Sequence, residues 1–282
     1  ICAMCLLSAK KHAMTQSELE QAIDHFLELL RDTPYSELAT LPNISGKKLL
    51  ENTLRLNKFN VSEDSFGKII SLKNQSAVAL TYYRNNILHL FALPGLIAAI
   101  VFVHKGSTKQ QILHLVAKLY PLLKRELFMY MSAEQAAEYT ESLITKMLEM
   151  GLLETSKNNI QPPSANSPAF YSAWLLNRSI QETLHRYALV LTLLSKQEQV
   201  SRNELEQKSA QFAERLAALH GISSPEFFDK KVLSTFINAL KESHLIDADD
   251  NGQLRHTEQS VELKTDVIGL IAPEIAQRLQ QI

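Results

Sequence analysis

Cysteine is nearly absent from this 282-residue sequence, since Cys2 and Cys5 are the only two. A disulfide framework is thereby excluded, and a reducing cytoplasmic setting is the default. Their C-x2-C spacing suits half a tetrahedral zinc site, but such a site needs about four ligands and no second pair follows. A redox dithiol would need a βαβ context that the flanking sequence lacks. The pair therefore reads as two incidental reduced thiols.

A surplus of charge is missing too. Lys and Arg total 29 against 30 Asp and Glu, a formal charge of −1. This balance excludes a whole-chain electrostatic grip on nucleic acid, which needs cations in excess facing phosphate. A local basic patch stays open. The sequence also lacks a G-x-S-x-G elbow, a Walker loop, a dinucleotide fingerprint and a cluster with metal-ligand spacing. The first residue is Ile1, and the apolar stretch to Ser8 precedes Lys10 and Lys11. A signal peptide carries its positive region before its apolar one, so we expect the chain to begin partway through a longer protein.

The residues that are present make a folded protein. A content of 45% hydrophobic and 21% charged residues can bury a sizeable core, and the length suits one large domain or two ordinary ones. The pattern predicts a mainly α fold with a few short strands and β-hairpins. Thr15 and Glu18 have capping-box spacing, and Leu19, Ile23, Phe26, Leu27 and Leu30 then share a face. A second helix is expected from Ser45 to about Asn57. The stretch Phe59–Leu80 reads as two or three short strands. Ser107 opens a helix that Pro121 should kink or divide. Ser132 with Gln135 caps the next, which ends at Gly151.

Pro162, Pro163 and Pro168 make Asn158–Pro168 the candidate linker. It separates an expected first helical part, residues 1–160, from a second, residues 166–282. Past it we expect a long helix through Tyr187 and Leu194, and a Ser201/Glu204-capped helix ending at Gly221. A helix started by Ser224-Pro225, the turn Asp249–Gly252 and a final helix to Ile282 complete the second part. Helix end, short strand and polar turn occur at Met147–Ile160 and again at Leu240–Arg255. Both resemble the last helix and wing of a winged-helix module. The acidic Glu141, Glu149, Glu226 and Asp229 mark them as packing units rather than DNA readers.

The most unusual segment is Thr81-Tyr82-Tyr83-Arg84-Asn85-Asn86 followed by the apolar run Ile87–Val103. A helix over that run would reach only about 26 Å, short of the ~30 Å hydrocarbon core, and Pro94-Gly95 should break it. A buried helix pair is expected, with insertion into one leaflet or a membrane-facing groove as the alternative. The planar fork of Arg84 suits phosphate or carboxylate, with Tyr83, Asn85 and Asn86 completing such a site. The competing reading is a structural Arg paired with a carboxylate or with capping carbonyls. His89 reads as a core histidine.

Thr81–Asn86, Ile87-Leu88-His89 and the Leu93-Pro94 step resemble a segment in the C-terminal part of the long-form bacterial glycerol-3-phosphate acyltransferases. The likeness continues in order along nearly the whole chain. Pro34-Tyr35-Ser36, Asn57-Lys58-Phe59, Leu119-Tyr120-Pro121 and Lys124-Arg125-Glu126-Leu127-Phe128 carry it. So do Glu182-Thr183-Leu184, Arg186-Tyr187-Ala188, Ala218–Ile222 and Pro225–Lys230. The resemblance implies a parent enzyme that moves a fatty acyl group from acyl-CoA or acyl carrier protein to the 1-hydroxyl of glycerol 3-phosphate. It implies no cofactor beyond that donor, and a peripheral place on the cytoplasmic face of the bacterial inner membrane. The partners implied are an upstream acyltransferase domain and the membrane surface, with no nucleic acid. The family's His-x-x-x-x-Asp general base lies upstream of the region matched.

Only His244 with Asp249 has that spacing here. Nine histidines and eight aspartates give about a quarter of such a match by chance, and this one falls in an acidic turn at the wrong end of the family pattern. No catalytic residue is therefore expected in this chain. Its role is expected to be support of the upstream domain, with Tyr83–Asn86 as the contact to that domain or to the anionic substrate. The alternative is a non-enzymatic helical scaffold built from winged-helix-like modules.

Overall fold

The computed structural model describes residues 1–73, 76–104 and 106–281. The first elements are α1 (Cys2–Ser8), β1 (Ala13–Thr15), α2 (Gln16–Asp32), α3 (Gly46–Leu54), β2 (Phe59–Asp64) and β3 (Gly67–Leu72). The expected capping box closes α2. The Thr15 hydroxyl accepts from the Glu18 N–H, and the Glu18 carboxylate accepts from the Thr15 N–H. Leu19, Ile23, Phe26 and Leu27 of α2 are fully buried. Ser45 caps α3 by accepting from the Lys48 N–H. The three strands form an antiparallel sheet in the order β1-β3-β2, with Met14 opposite Ile70.

The same order of elements then recurs. Helix α4 (Ala77–Val103), α5 (Lys109–Leu127), α6 (Ala133–Glu149) and the hairpin β4 (Glu154–Ser156) and β5 (Asn159–Gln161) make the second set. In place of a first strand, Ser107 bridges Ile160 of β5. The third set is α7 (Phe170–Ser195), β6 (Val200–Ser201), α8 (Arg202–His220), α9 (Lys230–Glu242), β7 (Ile246–Ala248) and β8 (Gln253–His256), with sheet order β6-β8-β7. Helices α10 (Glu258–Gly269) and α11 (Pro273–Gln280) follow.

The first and third sets have the helix–strand–helix–helix–hairpin topology of a winged helix, and in the second the Ser107 bridge takes the strand's place. The pairs Met14 with Ile70, Ser107 with Ile160, and Val200 with Leu254 are equivalent in the three sheets. Thr15, Thr108 and Ser201 open the next helix at equal intervals along the chain, and Glu18, Gln111 and Glu204 stand three residues on. The third helix of each set ends at a left-handed residue: Asn57 (φ 58°), Gly151 (φ 69°) and His244 (φ 55°). The repeat legible in two places is thus threefold.

Several expectations give way to packing. Ala77–Leu80 is the first turn of α4, and α4 runs unbroken through Pro94 as one helix of 27 residues. A proline inside a helix costs ~3 kcal/mol or more. Here every residue from Phe91 to Val101 is buried, and each large apolar side chain so placed contributes about 1.5–3 kcal/mol. Burial wins. Gly95 then lets α7 approach closely, since a Cβ there would lie 2.9 Å from Ser179 Oγ and 3.0 Å from the Leu176 carbonyl oxygen.

Pro121 likewise lies inside an undivided α5. Helix α5 begins at Lys109, where Thr108 and Gln111 cap it reciprocally. Ser224-Pro225 opens only a single 3-10 turn, and Asp229 caps α9. The last helical stretch is two helices, α10 and α11, the second with Pro273 in its first turn.

By contact the chain divides into Ile1–Val116 with Glu134–Ile180, and Ala117–Ala133 with Gln181–Ile282. The division cuts α5 and α7 rather than the proline-rich stretch. Asn158–Pro168 lies within the first unit, where residues 159–161 pair with β4.

Candidate functional site

The segment Tyr83–Asn86 lies in the N-terminal half of α4. Its helical period splits it. Leu80, Thr81, Arg84, Leu88 and Phe91 share the buried face. Arg84 is 6% exposed, and its Nε and Nη2 each donate to Asn85 Oδ1 at 3.1 Å. Tyr82 and Tyr83 are exposed at 67% and 53%, ring centroids 6.1 Å apart, with Asn86 exposed one turn on. The structure therefore joins Arg84 to Asn85 inside the first unit and places Tyr83 and Asn86 on its surface.

One turn further along α4, His89 is half-buried and meets Tyr35 edge-on, with ring centroids 5.3 Å apart. Tyr35 in turn meets Tyr139, whose hydroxyl donates to the Thr33 carbonyl at 3.0 Å. Burial pushes the His89 imidazole below its ordinary value. His25 of α2, 2.8 Å from Ser172 Oγ, is also lowered by burial, with Glu28 and Asp24 opposing. These are structural histidines held neutral. A histidine lowered on folding leaves the unfolded chain to bind the proton first. The stability it carries is present above the unfolded value of 6.5 and is lost as pH falls toward the folded one. We expect thermal unfolding scans to show a falling midpoint from pH 7 to pH 5. The double variant His25→Gln/His89→Gln should show a shallower fall.

The formal His-x-x-x-x-Asp pair lies just past the end of α9 and in the third hairpin. His244 is exposed at the left-handed end of α9. The Asp249 carboxylate accepts from the N–H groups of Asn251 at 2.9 Å and Gln253 at 2.8 Å, closing the third hairpin. It serves its own turn and does not orient an imidazole. Cys2 and Cys5 are free and buried in α1, and burial pushes both thiols up, away from the reactive thiolate. Among the described residues no group of three or more His, Cys, Asp and Glu is placed to hold a metal.

Two of the family-like segments meet in the second unit. Arg186 Nη2 donates to Glu126 Oε1, and both side chains are nearly inaccessible, at 6% and 7%. Arg186 also donates to Thr183 Oγ1 at 3.2 Å. Burial, the largest single influence, opposes the charge on the guanidinium, but Glu126 together with Tyr187 and Glu182 offsets it and the pKa rises. Beside them Tyr187 stacks on Phe236, with centroids 4.0 Å apart and planes at 6°. In sequence these residues carry the family likeness but no assigned role. The available signal was a Glu and an Arg flanked by core-type aromatics, far apart in sequence.

The fold is that of a mainly α protein with three winged-helix-type repeats. A family model described as the glycerol-3-phosphate acyltransferase C-terminal region matches residues 1–249, and the chain belongs to that family. It is similar to a glycerol-3-phosphate acyltransferase of Pseudoalteromonas atlantica, with 64% identity over 282 residues, all of this chain and 35% of that relative. Proteins of the same name from Alteromonas mediterranea and Aeromonas hydrophila are 50% and 38% identical over 99% of the chain. The chain spans about a third of the length of the curated relatives it matches.

Proposed function

We propose that this chain is the non-catalytic C-terminal part of an enzyme that transfers a fatty acyl group to the 1-hydroxyl of glycerol 3-phosphate. Acyl-CoA or acyl carrier protein is the donor, and no cofactor is required. The proton of the attacking hydroxyl goes to an imidazole–carboxylate couple in the upstream domain. The observation that carries this reading is the engagement of Asp249 by its own hairpin, in a chain that belongs to the family by sequence. The role of these modules is to hold the upstream domain in its working position at the membrane. Tyr83 and Asn86, outward on α4, are the members of the candidate group available to that domain. Arg84 and Asn85 fix the helix that presents them.

Helix α4 is long and apolar enough to cross a membrane by length and composition, but 67% of its most apolar window is buried within the chain. This favours a core helix, with membrane association peripheral and on the cytoplasmic face.

The test is an acyl-transfer assay on the chain alone and on the chain joined to the upstream region. The chain alone is expected to give no turnover, and the joined protein to give full turnover, unchanged by His244→Ala. Transfer by the chain alone overturns the reading.

A further inference from the structure

The second unit carries a groove of about 380 Å³ along α8 that none of the readings above uses. Its floor includes Leu193, Leu205 and Phe212. Its cations are Lys196, Lys208 and Arg215, and no carboxylate lines it. Glu204 engages Lys208 at 2.6 Å. Lys196 and Arg215 form no ion pair among the described residues, and both are exposed. At Arg215 the groove continues into a smaller one of about 150 Å³, which adds Arg278 and the 56%-exposed Leu219.

Lys208, Phe212, Arg215 and Leu219 follow one another at three- and four-residue steps, so cations and apolar side chains alternate along one helical stripe. Phe212 is the one aromatic among the lining residues, so the stripe lacks the row of stacking platforms that a nucleic-acid strand uses. An apolar floor beside the unpaired Lys196 and Arg215 complements a molecule with an anionic head and an apolar tail. We propose that this groove seats an anionic phospholipid of a bilayer surface. Phosphate lies between Lys196 and Arg215, and the upper acyl chain lies over Phe212 and Leu205. This inference does not rest on acyl transfer, because its readout is vesicle partition and not turnover.

The experiment is co-sedimentation of the full chain with phosphatidylglycerol–phosphatidylcholine vesicles and with phosphatidylcholine vesicles alone, at low and high salt. The expected result is partition onto the anionic vesicles only, weakened by salt. Lys196→Gln/Arg215→Gln should lower it about tenfold or more. Lys47→Gln/Lys48→Gln, which removes equal charge from the first unit, should leave it within about twofold. Phe212→Ser should lower the part of binding that survives high salt. Thermal unfolding midpoints of all variants confirm that each is folded. The proposal fails if neither vesicle binds, if neutral vesicles bind equally, or if the two charge-removing pairs have equal effects. It also fails if soluble glycerol phosphate at millimolar concentration displaces the protein from vesicles, since the site then binds the free anion.

Discussion

Replacing Arg186 by Met is expected to destabilise the chain by about 3–5 kcal/mol, read from urea unfolding. The loss comes from what is left behind. Glu126 lies on α5 with 7% of its side chain accessible, and without Arg186 its charge is buried and uncompensated. The intact pair is not itself a large asset. Arg186 Nε is buried without a hydrogen-bond partner among the described residues, so desolvation consumes much of the Coulombic gain. The two facts together predict strong non-additivity. Glu126→Leu/Arg186→Met should recover most of the stability lost by Arg186→Met, because an apolar pair of similar volume suits the stacked Tyr187 and Phe236 beside it. A single variant as stable as the parent would show that the pair is solvated. A double variant no better than the single would show that Arg186 acts through packing alone.

The parts of the fold legible in sequence are those set by neighbouring residues. The caps at Thr15/Glu18, Ser45 and Ser201, and the stops at Gly151 and Gly221, are local hydrogen-bond solutions, so the residues there announce them. Burial decides the rest. Ala77–Leu80 has the composition of a strand and becomes helix because it leads into the buried length of α4. Pro94 and Pro121 carry the signal of a break and are overruled by the core around them. The first repeat was hidden for a related reason. Its wing has six-residue strands with an exposed Phe66 at the tip, where the second has three-residue strands.

The site was legible only as a list. Reading Tyr83-Arg84-Asn85-Asn86 as one group ignores the helical period that sends Arg84 inward and Tyr83 outward. The α8 groove escaped because Lys196 comes from just past α7 while Lys208 and Arg215 come from α8.

Gly46→Ala is the second substitution with a large expected effect, and its sign separates two physical accounts. Helix propensity alone has alanine stabilising a helix over glycine by up to ~1 kcal/mol. The structure predicts the reverse. A Cβ at Gly46 would stand 2.2 Å from the Glu20 carbonyl oxygen and 3.0 Å from Asp24 Cγ. Glu20 O belongs to the backbone of α2, so no rotamer change relieves the clash. The Gly46 N–H also donates to Asp24 Oδ1 at 2.5 Å, which holds α3 at this approach. Relief requires α3 to withdraw from α2, breaking that bond and uncovering Leu50, which is 2% exposed. The expected loss is about 3 kcal/mol, the upper end of the overpacking range. Gly221→Ala is the control. Its φ of +66° strains any L-residue, but a Cβ there meets nothing within 4 Å, so about 1–2 kcal/mol is expected. If Gly46→Ala instead unfolds at a higher urea concentration than the parent, the contact of α3 with α2 is looser than described, and propensity governs this helix start.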